Sequence, residues 1–142
     1  MLVVSIIGVS AAVAAPRYAN ALANYRASAA ADRVKAEILR AVQLAKAGSR
    51  SYTVTFPAGR NAMAIVRTSE LGDTARTTVI ELGVDPYLAR IKNADFNGDT
   101  ALVFSGFGIP DSGGQVELAS GNAAYTVTVA AGTGAVTVAR AP

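Results

Sequence analysis

Three clusters in this chain have residue types and spacings that chemistry can use. Asp95-Phe-Asn97-Gly-Asp99 sets three oxygen-bearing side chains at steps of two, as the first ligands of a calcium loop are set. The full calcium pattern also needs Gly after the third ligand and Glu at the twelfth position, where the chain has Thr100 and Gly106. An Asn-Gly turn is the simpler expectation, since both residues accept positive φ at low cost, and the residues alone leave calcium open. The segment Gly106 to Gly114 is glycine-rich, as phosphate cradles are, but no Gly-Lys-Ser/Thr follows it and no helical pattern begins after it. It reads as a flexible surface loop. Arg33, Lys35, Arg40, Lys46 and Arg50 form a basic cluster that phosphates could meet, yet they fall on several faces of a helix without interleaved aromatics. That cluster reads as a solvated surface.

Histidine and cysteine are absent. Imidazole bases, thiol nucleophiles, disulfides and Cys/His zinc sites go with them. Carboxylates are scattered singly, no Gly-x-Ser-x-Gly elbow exists, and the serines have no base. The expectation is a protein that is not an enzyme, with no catalytic residue, no metal and no cofactor.

The elements that would carry a function of another kind are segregated along the chain. Of the 142 residues, 17–50 hold seven Lys/Arg against two Asp/Glu, whereas 51–142 hold six against eight. Residues 1–15, MLVVSIIGVSAAVAA, carry no charge and stop sharply at Pro16-Arg17. A bilayer-spanning helix needs about 20 apolar residues, so fifteen fall short by a turn or more. Three readings stay open: a signal peptide ending in Ala12-Val13-Ala14, without the usual basic start; a buried core helix; or a membrane anchor whose first residues precede Met1. Beyond Pro16 the stripe Tyr18, Leu22, Tyr25, Ala29, then Val34, Ile38, Val42 and Ala45, keeps helical spacing. One helix from about Leu2 to Ala47 is expected, kinked near Pro16, with Gly48 at its left-handed cap and Lys46 near the negative end of its dipole.

The segment LVVSIIGVSAAVAAPRYANALANYRA resembles the N-terminal helix of type IV pilins and type II secretion pseudopilins, through its apolar run, the small residues Gly8, Ala11 and Ala12, the proline at its end and the Arg-Tyr that follows. The continuation through AGSRSYTVTF, and a β-rich part finishing GTGAVTVAR, is similar to the GspH/FimT branch of minor pseudopilins. The resemblance implies a prepilin leader cut by a prepilin peptidase and a glutamate early in the mature chain. Aligned on Pro16, these fall ahead of Met1. It also implies inner-membrane anchoring with the C-terminal part outside the cytoplasm, and assembly with other pilin or pseudopilin subunits at or near a filament tip. In that role Leu2, Val3, Val4, Ile6, Ile7, Gly8, Val9, Ala11, Ala12, Val13 and Pro16 would meet lipid or neighbouring helices. Two rival expectations accompany it. Some FimT-like relatives bind DNA for uptake through a Gly-Arg-x-Arg tail, where this chain has only Val138-Ala139-Arg140-Ala141-Pro142. Removal of a signal peptide would instead leave a secreted soluble β-domain.

After Gly48 the pattern switches to short alternating runs at 52–56, 62–66, 77–82, 88–92, 101–104, 115–118, 125–129 and 136–139, separated by Gly, Pro, Asn and Asp. The alternation places Val127, Val129, Val136 and Val138 inward on a hairpin closed by Gly132 to Gly134, packed on Val34, Ile38 and Val42. The expected fold is α+β: a pilin-like ladle with one long N-terminal helix on an antiparallel β-sandwich of about eight strands. Residues 1–16 form its anchor, 17–48 the amphipathic continuation and 49–142 the β-rich domain.

Overall fold

An alanine-rich stretch with few breakers forms one 47-residue helix, α1 (Leu2–Gly48), about 70 Å long at 1.5 Å per residue. The computed structural model describes residues 2–67 and 76–142, leaving out the side chains of residues 2–7, 10, 11 and 13. Pro16 sits inside α1 without ending it, at the cost of one i→i−4 hydrogen bond. The cap falls one residue later than the sequence suggests. Gly48 is still helical, Ser49 takes φ 48°, and the Arg50 amide donates to the Ala45 carbonyl at 3.2 Å, closing the six-to-one bond of a Schellman end.

Eight strands follow in two antiparallel sheets. One holds β1 (Tyr52–Thr55), β2 (Ala62–Arg67), β3 (Thr77–Glu81) and β5 (Ala101–Phe104) in the order β3-β2-β1-β5. The other holds β4 (Arg90–Asp95), β6 (Gly114–Ser120), β7 (Ala123–Val129) and β8 (Val136–Arg140) in the order β4-β6-β7-β8. The architecture is thus α+β, one N-terminal helix packed on two four-stranded antiparallel sheets. Each expected strand is present within a few residues. The largest displacement is β4, which starts at Arg90 instead of Leu88. Leu88 belongs to a turn, with φ 44° and its amide donating to the Val84 carbonyl at 2.9 Å.

The core lies where α1 crosses both sheets. Val34, Ile38 and Val42 are buried there, as expected, against Val54, Leu102 and Phe104 of one sheet and Val116, Leu118, Val127 and Val129 of the other. Phe56 and Phe96, which follow β1 and β4, join the two sheets by stacking their rings at 5.7 Å.

One expectation about facing residues is corrected. The helix stripe does not run through Tyr18 and Tyr25, which are both exposed; the buried face is Ala27, Ala30, Ala31, Val34, Ile38, Ala41, Val42 and Ala45. Small residues let the sheets approach α1 closely, and the tyrosine rings would hold them off. Val136 and Val138 pack against the core as the alternation implies, and they are half-buried because β8 lies at the edge of its sheet. Val127 and Val129, one strand further in, are buried as the alternation implies.

Candidate functional site

Each cluster with chemical potential resolves into a structural device. Asn97 and Gly98 take φ 61° and 91°, the positive pair of a type I′ turn, between Phe96 and Asp99, which bridge. The Asp95 Oδ1 accepts from the Gly98 amide at 2.7 Å and the Asp99 Oδ1 from the Thr100 amide at 2.6 Å, so both carboxylates fasten the turn. Among the described residues no three His, Cys, Asp or Glu side chains gather as a metal would need.

The expected flexible loop at Gly106 to Gly114 is pinned instead. A Cβ on Gly106 would stand 2.7 Å from the Ser49 carbonyl carbon, Gly108 is buried against Lys46 and Val42, and Gly114 opens β6.

The basic cluster also divides. Glu37, which lies between Arg33 and Arg40 on the helix, is only 4% exposed. Its Oε1 binds Arg33 Nη2 at 2.7 Å, and its Oε2 lies 3.5 Å from Arg40 Nη1, an ion-pair distance without hydrogen-bond geometry. Two of the five cations are therefore occupied in holding a buried carboxylate, and leave less charge to offer a phosphate. The spacing 33–37–40 was the available signal, since i,i+4 and i,i+3 partners share a helix face.

A cleft of about 320 Å³ between the β1–β2 turn and β4 is lined by Arg60, Asn61, Lys92 and Asn93 among others. The Asn61 Oδ1 is taken by the Ile91 amide, and Lys92 pairs with Glu117 at 2.5 Å. Asn61 and Lys92 are thus engaged by the fold.

What remains is the start of α1. The first polar ties between helix and domain are Asn122 Nδ2 donating to Asn20 Oδ1 at 3.0 Å and the Tyr125 hydroxyl donating to Asn24 Oδ1 at 3.1 Å. Before them, Gly8, Val9, Ala12 and every residue from Ala14 to Ala21 are exposed, Val9 by 68%. The expectations for the side chains of Leu2, Val3, Val4, Ile6, Ile7, Ala11 and Val13 lie outside the described residues; Pro16 is exposed. Leu2 to Ala15 spans about 21 Å, roughly two thirds of a 30 Å hydrocarbon core. Among the described residues no helix is long and apolar enough to cross a membrane. No protein-family model, no curated protein and no solved structure matches the chain.

Proposed function

We propose that this chain is a structural, non-enzymatic subunit of a pilus-like fibre, a minor pilin or pseudopilin of the GspH/FimT kind. One observation carries the reading: among the described side chains of α1, Gly8, Val9, Ala12 and all from Ala14 to Ala21 are exposed, in a segment of apolar composition, while the later part of the same helix forms the core. An exposed apolar helix is stable only when something covers it. In this reading inner-membrane lipid covers it first, with the C-terminal domain on the extracytoplasmic side, and the helices of neighbouring subunits cover it after assembly. Gly8, Ala11 and Ala12 allow those helices to approach closely. A ladle-like outline, with the domain as bowl, suits that double use.

The test is fractionation of bacteria expressing the full chain. It is expected in the membrane pellet, retained through high salt, with its domain cut by protease added from the extracytoplasmic side. Removing residues 1–17 is expected to release a soluble monomer with β-sheet circular dichroism, because the buried face of α1 begins only at Ala27. A full chain that stays soluble and monomeric, or a truncated one that aggregates without β-sheet signal, overturns the reading.

DNA capture is a separable outcome. Residues 51–142 hold eight acidic against six basic residues, and Arg33 and Arg40 are engaged with Glu37. Duplex DNA is therefore expected to bind only in the non-specific range, roughly 10⁻⁴ to 10⁻⁶ M, and to dissociate as salt rises from about 50 to 200 mM. Gel shifts at the two salt concentrations check this. Tight binding that survives the higher salt and is lost in Arg140→Ala would make DNA uptake the function.

A further inference from the structure

Two exposed apolar patches stand at opposite ends of the domain, and the fold uses neither. At the end where α1 stops, the β5–β6 connection carries Phe107, 82% exposed, and Ile109, 50% exposed. The connection is held by hydrogen bonds from the Ser105 amide to the Ile109 carbonyl at 2.9 Å, from the Gly108 amide to the Ser105 carbonyl at 2.8 Å, and from the Ile109 amide to Ser105 Oγ at 3.3 Å. Gly108 is seated against Val42 and Lys46 of α1. Phe107 is thus a ring held out on a fastened loop, so little entropy is lost when a partner closes over it. The Lys46 side chain stands beside the neighbouring Gly108, and its ammonium group makes no hydrogen bond or ion pair among the described residues.

At the other end, a cleft of about 460 Å³ opens between α1 and the β3–β4 connection, walled by Tyr25, Ala29, Pro86 and Tyr87, with Asp32 on its lip. Asp85, next to Pro86, is exposed, as are the apolar Val84 and Leu88 on the same connection. Arg33 also lines the cleft but is held by Glu37 at 2.7 Å, so Asp32 and Asp85 give the lip an acidic balance.

We propose that the two patches are halves of one contact, in which Phe107 of one copy enters the Tyr25–Pro86–Tyr87 cleft of a second copy of this chain and Lys46 faces Asp32. The chemistry matches on both counts. A phenyl ring finds tyrosine and proline faces to pack on, and a basic knob meets an acidic lip, which orients the encounter. The geometry also restricts the symmetry. Knob and cleft are different surfaces about 25 Å apart along α1, counted from Ala29 to Lys46, so the contact joins unlike surfaces: two copies that exchange knobs close a two-fold dimer, and copies that do not continue head-to-tail. This contact lies between domains and does not depend on the projecting helix, so it goes beyond the proposed anchoring.

The chain has no cysteine, which makes disulfide trapping clean. Two full-length variants, Ile109→Cys and Ser28→Cys, are mixed in mild detergent and oxidised, and the mixed disulfide is expected to dominate over either variant paired with itself. Adding Phe107→Ser to the Ile109→Cys chain is expected to cut the mixed product about thirty-fold, the factor that loss of an aromatic anchor carries. Asp32→Lys in the Ser28→Cys chain lowers it about five-fold, and Lys46→Asp in the other chain restores it. All the substituted positions but Ser28 are exposed, and circular dichroism verifies that each variant is folded. A dominant Ile109→Cys self-pair would place Phe107 against Phe107 of the second copy and overturn the proposal. So would a mixed product that ignores Phe107→Ser, or the absence of one. A full chain found soluble without detergent would remove the anchoring and leave this test intact.

Discussion

Val127→Asp is expected to unfold the domain. Val127 lies on β7, is 0% exposed, and pairs with Val116 on β6 and Val138 on β8, in the sheet that contacts α1 most extensively. A carboxylate there has no cation or donor within the core to compensate it, and burying it uncompensated costs several kcal/mol, comparable with the whole stability of a small domain at about 5 to 15 kcal/mol. Val138→Asp, on the strand directly beside it, is expected to cost only about 1 to 2 kcal/mol, because its side chain is half-buried at a sheet edge and can turn to water. Denaturant melts of the two variants separate them. Equal losses would mean that β8 is not an edge, and the reverse ranking would mean that β7 does not carry the inward face.

That pair of neighbours also marks what the sequence conveys and what it withholds. The eight strands are legible because their ends are chemically marked: Asn97-Gly98, Gly121-Asn122 and Gly132-Thr-Gly134 supply positive φ, and β-branched residues alternate between them. Alternation tells which residues share a face of a strand, but not which strand lies at an edge. The order β4-β6-β7-β8 is set by pairing β4 with β6, across the whole of β5, and nothing local in residues 90–95 specifies it. Val136 and Val138 therefore face inward as the alternation implies, while their half-burial follows from the strand order. On α1 the apolar stripe failed for a different reason. Tyr18 and Tyr25 outrank alanine in apolar area, so periodicity follows the rings, while close packing selects Ala27, Ala30 and Ala31. The burial of Glu37 beside Arg33 and Arg40 is not legible in a charge count, which treats the three as solvated ions. The knob at Phe107 and the cleft at Tyr87 were not visible as a pair, since only the fold places one at each end of α1.

Gly114→Ala is expected to be nearly as damaging as the charge, although it adds one methyl group to a position that the sequence assigns to a surface loop. Gly114 is the first residue of β6, where the chain passes under the turn that follows β4. A Cβ there would overlap the Asp95 carbonyl oxygen and come within 2.6 Å of Phe96 Cα and 2.7 Å of Phe96 Cδ1. Two of those three atoms are backbone, so no side-chain rotation relieves the overlap, and the β4 end must move away from β6. The displacement does not stay local. Phe96 is buried and its ring stacks on Phe56, whose amide donates to the Thr100 carbonyl at 2.9 Å, so both sheets are tied to the element that must shift. Overpacking of this kind costs about 1 to 3 kcal/mol, occasionally more, and the backbone contact puts this case at the upper end. For a domain of this size about 3 kcal/mol lowers Tm by roughly 10 to 20 °C. Gly48→Ala is the matched control: nothing lies within 4 Å of its Cβ position, and alanine is the better helix former, so its Tm is expected to stay level or rise. Were Gly114→Ala to melt with the unmodified chain, β6 could not pass as closely under Asp95 and Phe96 as the structure has it, and the join between the two sheets would have to be redrawn.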